Sequence, residues 1–103
     1  MLTVIAEILT DSEQAFQTVI DSFKSIQASV LDEEGCHGYN LYVDSTVDSP
    51  MQNKVPYSIV MYEHWESIQH LEAHMQTVHM QAHQEATKGL VSDVKIRILE
   101  KGI

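Results

Sequence analysis

Residues 2–9, LTVIAEIL, place Leu2, Val4, Ala6 and Ile8 on one side and Thr3, Ile5, Glu7 and Leu9 on the other. That alternation predicts a β-strand whose two faces are both largely apolar. The period then changes. Phe16, Val19, Ile20, Phe23, Ile26 and Val30 recur at helical spacing and form one stripe. Asp11 or Ser12 is placed to cap this helix, with Gln14 three residues beyond Asp11 as in a capping box. Gly35, closing the acidic turn DEEG, suits a left-handed stop. CHGYNLYVD (36–44) and VPYSIVMYEHW (55–65) read as second and third strands, joined by a polar, proline-bearing loop. Ser67 caps a second helix in which Ile68, Leu71 and Met75 share a face. Thr77 supplies a fresh cap, so the helix should break there and restart at Val78. Gly89 ends it, and VSDVKIRIL (91–99) makes a fourth strand with Val94, Ile96 and Ile98 on one side.

The order is therefore β-α-β-β-α-β with the second helix broken, in a single domain spanning residues 1–103. Right-handed crossovers turn that order into an α+β, ferredoxin-like split βαβ fold: a four-stranded antiparallel sheet with helices on one face. Helices can cover only one face, yet the strands are apolar on both. A homodimer with sheet packed on sheet is the expected remedy. Fifteen acidic against six basic residues give a formal charge of −9. Nucleic-acid binding needs clustered Lys and Arg, so a polynucleotide partner is not expected. No apolar run approaches a membrane span, and MLTVIAEILTDSEQ lacks the basic region and cleavage site of a leader. The lone Cys36 cannot make an internal disulfide and fits a reducing compartment. A cytoplasmic protein without a membrane partner is the expectation.

The stretch HLEAHMQTVHMQAH, residues 70–83, holds four of the six histidines. On a helical wheel His70 faces water, while His74 lies at the edge of the stripe formed by Ile68, Leu71 and Met75. After the break, Ala82, Ala86 and Leu90 mark the buried side, with His79 and His83 within it. His74, His79 and His83 could thus converge between helices and sheet. Neither CxxC nor HExxH spacing is present and no acid is obviously placed as a further ligand, so no metal is assigned. An imidazole titrates near neutrality, which suits His74 or His79 to work as a general base. Trp65 reads first as core. Alternation sets Glu63 and Trp65 on one face of the third strand and Tyr62 and His64 on the other. Glu7, inside an apolar strand, either pairs across a dimer or enters a pocket, and Asn40 offers hydrogen bonds from the second strand. There is no Gly-rich phosphate loop and no GxSxG elbow.

Taken together, MLTVIAEI, EEGCHGYNLYVD, YEHWES and LEAHMQTVHMQAH resemble the antibiotic biosynthesis monooxygenase domain, quinol-monooxygenase type, from Leu2 to about Leu99. The most specific part is Tyr62-Glu63-x-Trp65-Glu66-Ser67 followed by Leu71-x-x-His74 and His79. The resemblance implies a dimeric α/β barrel with a cavity between helices and sheet in each subunit. It also implies a monooxygenase that oxidises a quinol or related phenol with molecular oxygen, without flavin, metal or haem. On that basis His74 or His79 is the base, Tyr62 orients a substrate oxygen and Trp65 forms part of the wall. Asn40, Glu7 and His83 are the further substrate contacts.

Departures from related patterns limit the alternatives. Haem-degrading relatives carry an Asn on the first strand and a Trp and a His on the second helix. Here those positions are Glu7, His74 and approximately Gln84, which argues against haem. The His74-x-x-x-x-His79 spacing is shared with an enzyme that processes a phosphorylated quorum-sensing signal, and Lys88, Lys95 and Arg97 are the nearby cations. An isomerase of a small carbonyl compound is therefore the alternative, distinguished by indifference to oxygen. A non-catalytic ligand-binding module comes third. The loop from Ser45 to Val55 also looks longer than the pattern requires.

Overall fold

The computed structural model describes residues 1–103. The elements are β1 (Leu2–Thr10), α1 (Glu13–Leu31), β2 (Cys36–Tyr42), β3 (Ser58–Trp65), α2 (Ile68–His74), α3 (Val78–Ala86) and β4 (Val91–Leu99). They form the expected four-stranded sheet in the order β2-β3-β1-β4, with every neighbouring pair antiparallel. The core lies between this sheet and α1, where Val19, Phe23, Ile26 and Val30 meet Val4, Ile59 and Met61.

Local chemistry sets the boundaries. Ser12, not Asp11, caps α1, its hydroxyl accepting the Ala15 N–H at 3.1 Å. The third helical position is then Ala15, so the capping box with Gln14 does not form. Ser67 and Thr77 cap α2 and α3 in the same way, through the N–H groups of His70 and Met80. The helix breaks where the sequence places the break. Strand β3 starts at Ser58 rather than Val55, because Tyr57 sits in the left-handed region (φ 59°) and turns the chain. Thr10 fixes this turn by donating both its N–H and its hydroxyl to the Tyr57 carbonyl. Strand β2 stops at Tyr42, and Asp44 takes the Val55 N–H with a side-chain oxygen instead of extending the ladder.

Two expectations about faces are corrected. The inward side of α3 is Met80, His83 and Thr87, whereas Ala82 and Ala86 are exposed. Two alanines bury too little area to set a helix's rotation against the Met80 and His83 anchors. His74 is not at the edge of the α2 stripe but is its most buried member; Ile68 and Met75 are partly exposed. The helices also stop short of β4. Val94, Ile96 and Ile98 pair with Ile8, Ala6 and Val4 on the helix-side face, yet remain about half exposed. The layer is therefore open along that edge.

Candidate active site

Because the helical layer is incomplete, a cavity of about 570 Å³ lies between α2, α3 and the sheet. Its floor includes Val4, Ala6, Ile8 and Met61, and its helical side includes Leu71, Met75 and Met80. Of its 22 lining residues 14 are hydrophobic, a composition that suits an aromatic ring rather than a strongly charged ligand. The polar groups on its wall include His74, His83, Glu63 and Tyr39.

The break between α2 and α3 brings His74 and His79 to one carboxylate. Glu33, in the turn after α1, accepts from His74 Nδ1 at 2.8 Å and from His79 Nε2 at 2.7 Å through the same oxygen, Oε2. A carboxylate can only accept, so this bond puts the His74 proton on Nδ1 and leaves Nε2 as the basic nitrogen. No fully enclosed side-chain nitrogen or oxygen lacks a partner, and Nε2 has none, so it faces the open volume of the cavity. Burial pushes the His74 pKa below the ordinary imidazole value, while the Glu33 hydrogen bond and charge pull it back up. The imidazole is thus neutral and oriented near pH 7. The ring also lies 4.7 Å from that of Trp65 and 5.6 Å edge-on from that of Tyr39.

His83 is held differently. Its Nδ1 meets the Ser22 hydroxyl at 2.8 Å and its ring lies 4.1 Å from Phe23. Burial, and secondarily the neighbouring His74, lower its pKa. Glu63 accepts the Trp65 indole N–H at 2.9 Å. Burial raises its pKa against the opposing effect of that bond, and the Glu33 charge raises it further. The Tyr39 hydroxyl is also pushed upward, first by burial and then by Glu63 and Glu33.

Of the residues singled out from the sequence, the structure brings His74 and His83 to the cavity. His79 reaches Glu33 but does not line the cavity. Trp65 is wholly buried beneath His74, so it supports the wall rather than forming it. Tyr62, Asn40 and Glu7 are corrected: strand alternation turns them to the opposite face of the sheet. Tyr62 there lies among Tyr42 and His64, Glu7 accepts the Ser58 hydroxyl, and Asn40 is exposed beside a separate groove of about 210 Å³. Sequence reasoning missed Glu33 and Tyr39 as site residues, and it put Glu63 on the Trp65 face of β3 without giving it a role. The double acid of DEEG was the only available signal for Glu33. Glu33, His74 and His79 also offer donor atoms within 4.8 Å of one another, a two-histidine, one-carboxylate set that could take a divalent cation.

An antiparallel sheet carrying a helical layer, with an apolar cavity and a carboxylate-held imidazole between them, describes a small-molecule enzyme of the ferredoxin-like kind. Residues 1–86 match the family model of the antibiotic biosynthesis monooxygenases, and the chain belongs to that family. It is 56% identical, over the full length of both chains, to an Escherichia coli K12 protein named probable quinol monooxygenase YgiN. A solved structure from Pseudomonas aeruginosa superposes with a TM-score of 0.79 at 26% identity, covering 97% of this chain and 92% of that one. A putative antibiotic biosynthesis monooxygenase from Nitrosomonas europaea gives 0.80 over the whole of both chains at 15% identity, a likeness of fold alone.

Proposed function

We propose that this chain is a cofactor-independent monooxygenase that oxidises a quinol or related phenol with molecular oxygen. One observation carries the reading: a neutral His74, its Nδ1 pinned by Glu33, presents Nε2 to a largely apolar cavity. Nε2 takes a phenolic proton, and Glu33 steadies the imidazolium that results. The substrate anion is electron-rich enough to pass an electron to oxygen directly. Apolar walls exclude water and strengthen the fields of the few polar groups inside. His79 acts through Glu33, as a positioning residue. The likeness to the Escherichia coli protein supports a quinol as substrate. The apolar residues left uncovered on both sheet faces support a homodimer, and the unpaired Cys36 supports a cytoplasmic setting.

Oxygen uptake by untagged protein offered chemically reduced quinones, against a no-enzyme blank, tests the reading. Uptake above the blank, lost in His74→Ala, is expected. Uptake no faster than the blank would overturn it. Lys88 is the one lysine or arginine on the cavity wall and favours the second reading, an isomerase of a phosphorylated carbonyl compound. Turnover that ignores oxygen would select that instead.

A further inference from the structure

Glu63 is the part of the cavity wall that the proposed base does not use. It lies on β3, paired with Val4 of β1 and Tyr39 of β2, and is 6% exposed. One oxygen, Oε1, accepts the Trp65 indole N–H. The other has no partner within the chain and, since no enclosed polar atom is unpaired, it faces the cavity. A carboxyl group in such a wall costs stability that an aliphatic side chain would not, so its presence calls for a chemical reason. Trp65 also ties it to the base, because the indole that donates to Glu63 packs 4.7 Å from the His74 ring.

We infer that Glu63 is a second catalytic residue, the acid that protonates the departing oxygen when a ring hydroperoxide breaks down. This rests on the monooxygenase reading above. In that reaction His74 takes a phenolic proton, the anion gives one electron to oxygen, and the radical pair combines at an unsubstituted ring carbon. His74 then returns its proton to the peroxide, leaving a ring hydroperoxide and a neutral imidazole. At breakdown the proton on the same carbon goes to His74, and the C–H electron pair becomes the π bond of a new carbonyl. The O–O pair leaves on the distal oxygen as hydroxide, which takes the Glu63 proton and departs as water. The sum is quinol plus oxygen to hydroxyquinone plus water. Proton transfer from His74 to Glu63 through solvent resets both groups.

Without an acid at the distal oxygen, the same hydroperoxide loses hydroperoxide anion from carbon instead. The products are then the parent quinone and hydrogen peroxide, a two-electron outcome. Glu63 thus decides between two products. Burial first, and then the Glu33 charge from the turn after α1, favour its acid form against the Trp65 bond; Tyr39 from β2, and His74 and His83 from α2 and α3 with pKa values lowered by burial, share the wall. Strand β1 offers only Val4 and Ala6, and Lys88 and Glu72 lie elsewhere on the wall.

The measurement is hydrogen peroxide released per oxygen consumed, by oxygen electrode with and without catalase, on the full chain with reduced quinones. Glu63→Gln keeps an acceptor for the Trp65 N–H but cannot deliver a proton. It should raise the peroxide fraction several-fold, a partition that a merely structural role would not move. Wild-type protein supplies an independent arm, since its peroxide fraction should climb as pH rises and Glu63 ionises. Trp65→Phe removes a bond that favours the ionised form, so that climb should move to higher pH. A peroxide fraction indifferent to pH and to Glu63→Gln would overturn the inference and leave the oxygenase standing. No oxygen uptake by the wild type would overturn the parent reading instead.

Discussion

The base role proposed for His74 and the burial of its ring have separable consequences, one catalytic and one thermodynamic. Removing a positioned general base typically costs about 10²- to 10⁴-fold in rate, so His74→Ala should lower turnover by that order. His79→Ala leaves the Glu33–His74 bond in place and should cost less, and steady-state kinetics on the two variants will rank them. The thermodynamic consequence follows from burial. His74 and His83 both have folded pKa values below the ordinary 6.5, so the unfolded chain binds more protons than the folded one as pH falls. Their contribution is fully present above pH 6.5 and is lost as pH drops toward the folded values. In thermal unfolding scans from pH 7.5 to 5.5, the Tm of His83→Gln should gain relative to that of the wild type as pH falls. Glu63 has the opposite sign: its raised pKa makes stability decline as pH rises above the ordinary carboxylate value, so Glu63→Gln should raise Tm at pH 8 and not at pH 4.

At the level of elements, turns and caps position these groups. Gly35 (φ 81°) and Gly89 (φ 80°) both sit in the left-handed region. An alanine there costs roughly 1–2 kcal/mol of backbone strain. A Cβ at Gly89 meets nothing, but at Gly35 it would stand 2.3 Å from the His70 ring. Gly35→Ala should therefore destabilise more than Gly89→Ala and, by displacing the turn that carries Glu33, should also slow turnover; chemical denaturation alongside kinetics checks both. Thr77→Ala removes the cap that restarts α3 and should cost about 1 kcal/mol by the same denaturation measurement. Strands, caps, left-handed glycines and the helix break were legible in the sequence because each has a local chemical cause. The partner of the histidines was not. Glu33 meets His74 and His79 across 41 and 46 residues, and no local period encodes that meeting. Alternation did separate Glu63 from Tyr62, but it could not say which face of the sheet the helices would cover, and Tyr62, Asn40 and Glu7, on β3, β2 and β1, fall on the other one.

For the molecule as a whole, the question is what covers the apolar surface that one chain leaves open. The helix-free face of the sheet carries Ile5, Leu9 and Val60, only partly buried, with Tyr42 and Tyr62 more exposed beside them. Contiguous patches of this kind on a small domain mark contact surfaces. A second copy placed sheet to sheet would cover that face symmetrically, pairing like residues about a two-fold axis. Tyr62 then acquires a role the cavity does not give it, as an interface aromatic with Tyr42 and His64 around it. Solution scattering should give about twice the 11.7 kDa chain mass at micromolar concentration. Tyr62→Asp would bury an unpaired charge in the contact and should shift the mass toward that of one chain. Because Tyr62 lies across the sheet from His74, the variant separates assembly from chemistry. Retained turnover in a monomeric Tyr62→Asp would show that each cavity works alone, whereas a wild-type monomer would remove the sheet-to-sheet pairing altogether.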